Sequence, residues 1–549
     1  MKKSGFLEGT IIATIAIIIT KVLGMLYVIP FYAMIGVTGS ALYAYAYNIY
    51  VIFLDISSAG IPAAISKIIK EYNTLGMMDA KVRAYELGKK IISLLSVAVF
   101  VVLFVFAPVI AELILGDLSG GNTISDVSFA IRCVSFAILV VPFLSVSKGY
   151  LQGHNIINVS SISQVIEQVV RITIILAGSY IGLNVLHLSL TTTVGIAVFG
   201  AFVGGATAML YIWQNIHKNK KQLSLDGNIK KDKISNEEIR KKIISYAVPF
   251  IIIDIAVSIY SFVDMVFISR TMNYLGFDAY TTEFITTSVT TWSGKISMVV
   301  NSIAMGLTIS LIPNIVEAYT LKKWDLVESR LNKALEIILV ACIPMVLGIA
   351  LLSKPIWSIF YGTSDIELGG LVLAVYIFTP LFFNLYMITS STLQSCNKFK
   401  MVYLTTLLGY ATNAILDVPL MLLCHALNIQ AFIGACVASV LGYFTSVLST
   451  LYLLKKDYHL VYKDTIKTFI KILLPSFIMV MLVMALKMII PLDLYSKSSC
   501  ILYVAIISVI GALTYIFISY KQGLLTDIFG KDYLNKIIKK LTFNKVSID

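Results

Sequence analysis

The chain has 549 residues, of which 58% are hydrophobic and 13% charged, with a mean hydropathy of +0.87 and a formal net charge of +13. That composition excludes a soluble globular protein. It also makes nucleic-acid binding a poor explanation of the charge, because the cations fall in loops between apolar runs, where they face anionic lipid headgroups.

In chain order the apolar runs cover roughly 9–33, 41–68, 90–115, 127–149, 156–182, 189–213, 243–269, 284–314, 334–360, 368–393, 400–425, 430–454, 467–490 and 499–520. Each is long enough to cross about 30 Å of hydrocarbon. Continuous apolar runs with charged ends predict helices rather than barrel strands. The expected fold is therefore an all-α polytopic membrane protein of fourteen transmembrane helices. The first run is too long for a cleaved signal segment and lacks a small-residue cleavage site, so it is read as span 1.

Cationic loops alternate with cation-poor ones. Loops 34–40, 116–126, 183–188, 361–367 and 426–429 hold no Lys or Arg, whereas 70–90, 218–242, 322–333 and 455–471 are rich in them. The positive-inside pattern predicts a multi-pass protein of the cell membrane with both termini cytoplasmic, as an even span number requires. The six cysteines lie in or beside apolar runs without CxxC spacing and read as packing residues.

The chain is also written twice. Ala59-Gly60-Ile61-Pro62 leads to Glu71, and Met305-Gly306-Leu307-Thr308 leads to Glu317, with the same glycine-to-glutamate spacing. Pro108–Gly116 answers Pro355–Gly362, and Leu151-Gln152 answers Leu393-Gln394. Six spans lie between the copies, so both enter the membrane in one direction, as parallel repeats do. The expected organisation is an N-lobe over 1–213, a cytoplasmic linker over 214–242, a C-lobe over 243–455, and two further helices with a cytoplasmic tail over 456–549. Two lobes of this kind imply a transporter.

Ionisable residues inside spans are costly and invite a functional question. Lys21, Asp55, Arg132, Asp254, Asp264, Lys295 and Asp417 fall within apolar runs. Lys21 and Lys295 have no opposite charge nearby in sequence and are read as cavity cations. With Asp55, Arg132 and Lys67 they make up the candidate substrate-binding set, although Lys67 and Lys148 lie near span ends and could equally snorkel to the interface. Glu167 and Arg171 are one helical turn apart and read as a structural ion pair. Asn413 and Asp417 share a helix face, and with Asp264 they could supply hard oxygen ligands to a small cation; ordinary interhelical hydrogen bonding is the competing reading. No HExxH, GxSxG or Walker loop occurs, so neither an enzyme nor a built-in ATP motor is expected.

Two stretches carry a resemblance: Ser58-Ala-Gly-Ile-Pro-Ala-Ala-Ile-Ser-Lys67, and Lys148-Gly-Tyr-Leu-Gln-Gly153 followed by Ser163-Gln-Val-Ile-Glu-Gln-Val-Val-Arg171. With the span pattern, they resemble the oligosaccharide-flippase branch of the MOP superfamily, in particular the stage V sporulation protein B/YtgP group, which is related to the MurJ lipid II flippases. The resemblance implies alternating access that moves an undecaprenyl-pyrophosphate-linked saccharide, such as lipid II or a polysaccharide unit, from the inner to the outer leaflet. It places Lys21 and Lys295 where cations receive the pyrophosphate. Tyr27 replaces a second cation of span 1, and Leu54, beside Asp55, replaces one of span 2. Asp264, Asn413 and Asp417 match the family's sodium pattern, implying Na⁺ as coupling ion with no other cofactor, and cell-wall synthesis proteins are the implied partners. The alternative is a MATE-type cation-coupled multidrug antiporter, which would want carboxylates rather than lysines in its cavity.

Overall fold

A computed structural model describes residues 6–530 apart from 59, 119, 155, 221, 222 and 224–231. Side chains of 6–14, 63, 249–257, 309, 310 and 313 lie outside the description, and Asp254 is among them. Every regular element among the described residues is helical. Eleven helical stretches among them are long and apolar enough to cross a membrane. The first, Ile15–Ser58, covers residues of two expected spans, and the expected spans at 243–269 and 284–314 include side chains outside the description.

By packing, the chain forms two compact units, Met1–Lys295 and Ile296–Asp549. The first holds α1 (Phe6–Leu26), α2 (Val28–Ser58), α3 (Ile61–Thr74), α4 (Met78–Val105), α5 (Ala107–Leu115), α6 (Ile124–Gly153), α7 (Ile157–Tyr180), α8 (Leu190–Lys218), α9 (Asn236–Tyr274) and α10 (Ala279–Thr287). A π-helical turn, Ser288–Trp292, joins α10 to α11 (Ser293–Thr320), whose first turn supplies Lys295. The second unit contains the rest of α11, then α12 (Trp324–Leu351), α13 (Ser353–Tyr361), α14 (Ile366–Tyr376), α15 (Thr379–Ser395), α16 (Phe399–Ala426), α17 (Phe432–Tyr458), α18 (Lys463–Ile489), α19 (Lys497–Lys521) and α20 (Leu524–Phe529).

Prolines and glycines set the breaks. Gly60, at φ 67°, and Pro62 separate α2 from α3. The equivalent residues of the second copy, Gly306 and Thr308, run inside the continuous α11, because threonine keeps the N–H that proline lacks. Pro108 has no N–H for the carbonyl of Phe104, four residues earlier, and α4 gives way to α5 at Phe106. Pro355 stands in the same relation to Leu351, where α12 gives way to α13. Gly116 and Gly362, both at positive φ, end α5 and α13.

The two stretches that carry the resemblance pack on each other. A Cβ on Gly149 would lie 2.5 Å from the Pro62 carbonyl oxygen, and one on Gly153 would lie 2.7 Å from Ile69 Cβ. No side chain fits at either position, so these glycines bring α6 against α3. Ile61, Ile65, Ile68 and Ile69 recur at helical spacing on the buried face of α3 and share a core with Leu144 and Leu151 of α6 and Ile212 of α8. The polar linker is docked onto this end of the unit where it is described. Leu223 is fully buried in the same core, and its carbonyl accepts from Tyr150 Oη at 3.1 Å. Asp232 Oδ2 accepts from the Ala80 amide at 2.8 Å, and Lys242 pairs with Glu71 at 2.6 Å.

Candidate substrate site

Lys295 is 94% buried (6% exposed) at the start of α11. Its Nζ sits over two tyrosine rings, 4.8 Å from the centroid of Tyr47 on α2 and 5.8 Å from that of Tyr27, the residue between α1 and α2. Such contacts contribute about 0.5–1 kcal/mol in water and about 2 or more once desolvated. They hold the ammonium without cancelling its charge. Among the described residues no carboxylate pairs with Lys295.

The rings form a connected assembly. Tyr43 stacks on Tyr47 at 5.7 Å and 10°, and on Trp292 at 6.2 Å and 25°. Phe31 meets Tyr43 edge-on at 4.9 Å, and the hydroxyls of Tyr27 and Tyr43 lie 3.2 Å apart. Asn48, one residue beyond Tyr47, donates to Thr291 Oγ1 at 2.9 Å, tying α2 to the π-helical turn that precedes Lys295. A π-helical turn shifts the register of the residues after it. The expected loss of a span 1 cation at Tyr27 therefore has a structural counterpart, since this ring is one of the two that hold Lys295.

A second charged cluster lies in the same unit. Glu167 and Arg171 pair as expected, at 2.8 Å, and Lys148 of α6 joins them at 3.0 Å from the other carboxylate oxygen. Lys148 thus binds across to α7 rather than only reaching for the interface. Two cations share one carboxylate, and Tyr50, Tyr47 and Tyr43 lie within electrostatic reach of Arg171. The tyrosines of α2 consequently lie between two positive regions, Lys295 and the Arg171 cluster. Lys21 is half-buried on α1, six residues and about 9 Å of helical rise before Tyr27. Gly24, one turn on from Lys21, places α1 against Gln168 of α7.

The remaining candidates serve other contacts. Asp55 accepts from the Ser258 hydroxyl of α9. Arg132 donates from Nε to the Phe104 carbonyl at 3.2 Å, the oxygen that Pro108 leaves without a helical partner, and its guanidinium lies over the Phe104 ring. Lys67 is exposed, with Nζ 4.1 Å from the centroid of Tyr246. Asp264 is buried on α9 in the first unit. In the second unit Asn413 and Asp417 are fully buried one turn apart on α16, and Asn413 Nδ2 donates to Ser439 of α17 at 3.2 Å. An amide and a carboxylate one turn apart on α16 are hard oxygen donors, a pair whose chemistry fits a hard cation. Among the described residues no group of three or more His, Cys, Asp or Glu side chains is placed to hold a metal ion. The second unit also contains an apolar cavity of about 580 Å³ lined by Val340, Pro344, Met479, Val483, Gly511 and Tyr515, with the chemistry of a hydrocarbon-chain site.

Sequence reasoning missed Tyr43, Tyr47 and Trp292, and it missed the pairing of Lys148 with Glu167. The run Tyr43-Ala-Tyr-Ala-Tyr-Asn-Ile-Tyr50 was the available signal, because its first and third tyrosines are one turn apart on one face.

A family model described as polysaccharide biosynthesis protein matches residues 6–317. The chain is 32% identical over 536 residues to the lipid II flippase MurJ of Bacillus subtilis (strain 168), covering 96% of this chain and 97% of that one. It belongs to the polysaccharide biosynthesis protein family of MOP superfamily flippases. It is also 24% identical over 446 residues to stage V sporulation protein B of the same organism, covering 80% of this chain and 82% of the relative. A MatE family model matches residues 249–418. Among solved structures, the fold is like that of a lipid II flippase MurJ in an inward closed conformation, with a TM-score of 0.69 at 18% identity, over 93% of this chain and 99% of the other. The chain is a membrane transporter with an all-helical polytopic fold, not an enzyme.

Proposed function

We propose that this protein moves an undecaprenyl-pyrophosphate-linked saccharide, lipid II or a related unit, from the inner to the outer leaflet of the plasma membrane. The observation that carries this reading is Lys295, a buried cation held on tyrosine faces rather than neutralised by a carboxylate. An ammonium kept in that way is ready to take a diphosphate oxygen by charge-assisted hydrogen bonding. Rocking of the helices would expose this region first inside and then outside while the isoprenoid tail stays in lipid. A cationic drug would meet repulsion here, which argues against the multidrug reading despite the MatE match.

In this reading the chain has fourteen spans in two parallel six-helix repeats plus two C-terminal helices, with both termini cytoplasmic. The paired breaks at Pro108 and Pro355 and the paired glycine ends support the repeat. Sodium is the proposed coupling ion, with Asn413 and Asp417 of the second unit as its proposed ligands, and outer-leaflet enzymes of wall synthesis are the proposed partners. The test is complementation of a strain depleted of its lipid II flippase. Growth restored by this chain is expected, and lysis despite normal membrane levels would contradict lipid II as substrate. In the same cells a cysteine at Ser364 should react with an impermeant maleimide and one at Ser235 should not; the reverse pattern would invert the orientation.

A further inference from the structure

We propose that Glu283 and the Gly120-Gly121-Asn122 segment form an outer gate latch that must separate in each transport cycle. This rests on the transport reading above, and the loop that carries it, 116–126, is one of those without Lys or Arg. Glu283 is on α10, at 1% exposure, and Asn122 follows α5, at 6%. The Asn122 amide N–H donates to Glu283 Oε1 at 2.7 Å, and its side-chain Nδ2 lies 2.9 and 3.0 Å from the two carboxylate oxygens. The same Nδ2 also donates to the Thr38 carbonyl of α2 at 3.0 Å. One asparagine thus joins α10, α2 and the segment between α5 and α6.

The site is shaped for the carboxylate. A Cβ on Gly121 would lie 2.7 Å from Glu283 Oε1, so only glycine lets the carboxylate approach. A short distance along, Arg270 of α9 donates to the carbonyls of Leu113 at 2.9 Å and Glu112 at 3.1 Å, at the end of α5. The α9–α10 pair is therefore pinned twice to the α5–α6 connection, each time by charge-assisted bonds to backbone or amide groups. The chemistry suits a contact that opens. A buried carboxylate held by amide donors exchanges those donors for water when it separates, so opening and closing are close in free energy. An apolar contact of the same size would instead expose hydrocarbon each time.

The geometry also supplies the test. A Cβ on Gly120 would stand 3.8 Å from Ala279 Cβ, the separation of a disulfide. In Gly120→Cys/Ala279→Cys, oxidation should lock the latch and abolish complementation or leaflet translocation, and reductant should restore it. Gly120 has φ 95°, so the single Gly120→Cys variant controls for backbone strain. Full transport by the oxidised, crosslinked protein would overturn the latch while leaving the flippase reading intact; a wild-type chain that fails to transport would overturn that reading instead. If the double variant is inactive even when reduced, accessibility decides. A cysteine at the half-buried Asn48 should label severalfold faster from outside in Glu283→Gln and in Gly121→Ala than in the parent, over the background of the native cysteines. Equal labelling in all three would contradict the proposal.

Discussion

The break before Pro108 and the break before Pro355 each leave one helical carbonyl without its N–H, Phe104 in the first unit and Leu351 in the second. In the first unit Arg132 of α6 caps it at 3.2 Å. In the second, Lys487 of α18 caps it at 2.6 Å. The offset that carries Leu151 to Leu393 carries Arg132 to Ala374, so the second copy has no cation at the matching place. Lys487, on α18, supplies the cap instead. The comparison teaches that an orphaned backbone acceptor in the membrane is a fixed demand, and that the fold meets it with whichever cation is at hand. It also explains why Arg132, an intramembrane charge that invited a substrate role, is occupied by the protein's own backbone.

The sharpest way to break this comparison is Arg132→Ala. Leaving a partly buried carbonyl without a donor costs about 1–3 kcal/mol, read as a lower melting temperature of the detergent-solubilised protein. In a Pro108→Ala background position 108 regains its N–H, and the cost of Arg132→Ala should fall to a fraction of that. Equal costs in both backgrounds would dissociate Arg132 from the proline break. Lys487→Ala should have a smaller effect, about 1 kcal/mol, because Lys487 is exposed and water or headgroups can replace it. A Lys487 effect larger than that of Arg132 would reverse the ranking. The smallest expected effect concerns Asn413 and Asp417. Sodium should raise the melting temperature more than potassium at equal ionic strength, by mass action, and Asp417→Asn should remove the increment. Identical curves in both salts would leave the pair as interhelical hydrogen bonds.

What the sequence made legible follows from what is local. Helix class and membrane span follow from apolar runs. The breaks before Pro108 and Pro355 were not read from the sequence, because 90–115 and 334–360 are continuous apolar runs, and a missing N–H breaks one helix while Pro142 and Pro419 stay inside theirs. The Glu167–Arg171 pair was legible because it lies within one turn. Lys148 was not, since its partner lies across a loop on another helix, and helix-to-helix register is set by close approaches such as Gly149 on Pro62. Lys295 was legible as a cation without a nearby acid. Its tyrosine faces were not, because ring geometry depends on the π-helical turn at Ser288–Trp292 and on how α2 meets it. Arg132 was misleading for a simple reason: its acceptor is a backbone oxygen, which no side-chain pattern marks, although counting four residues back from Pro108 finds it.

The central claim is that Lys295 anchors the anionic headgroup, and the most direct measurement is the affinity of the purified protein for undecaprenyl diphosphate in lipid nanodiscs. Losing one charge-assisted hydrogen bond of about 1.5–3 kcal/mol should weaken binding roughly 10- to 150-fold in Lys295→Ala. Lys295→Arg should keep most of the affinity, and undecaprenol, which lacks the diphosphate, should bind the wild type and the alanine variant alike. Unchanged diphosphate affinity in Lys295→Ala would contradict the account.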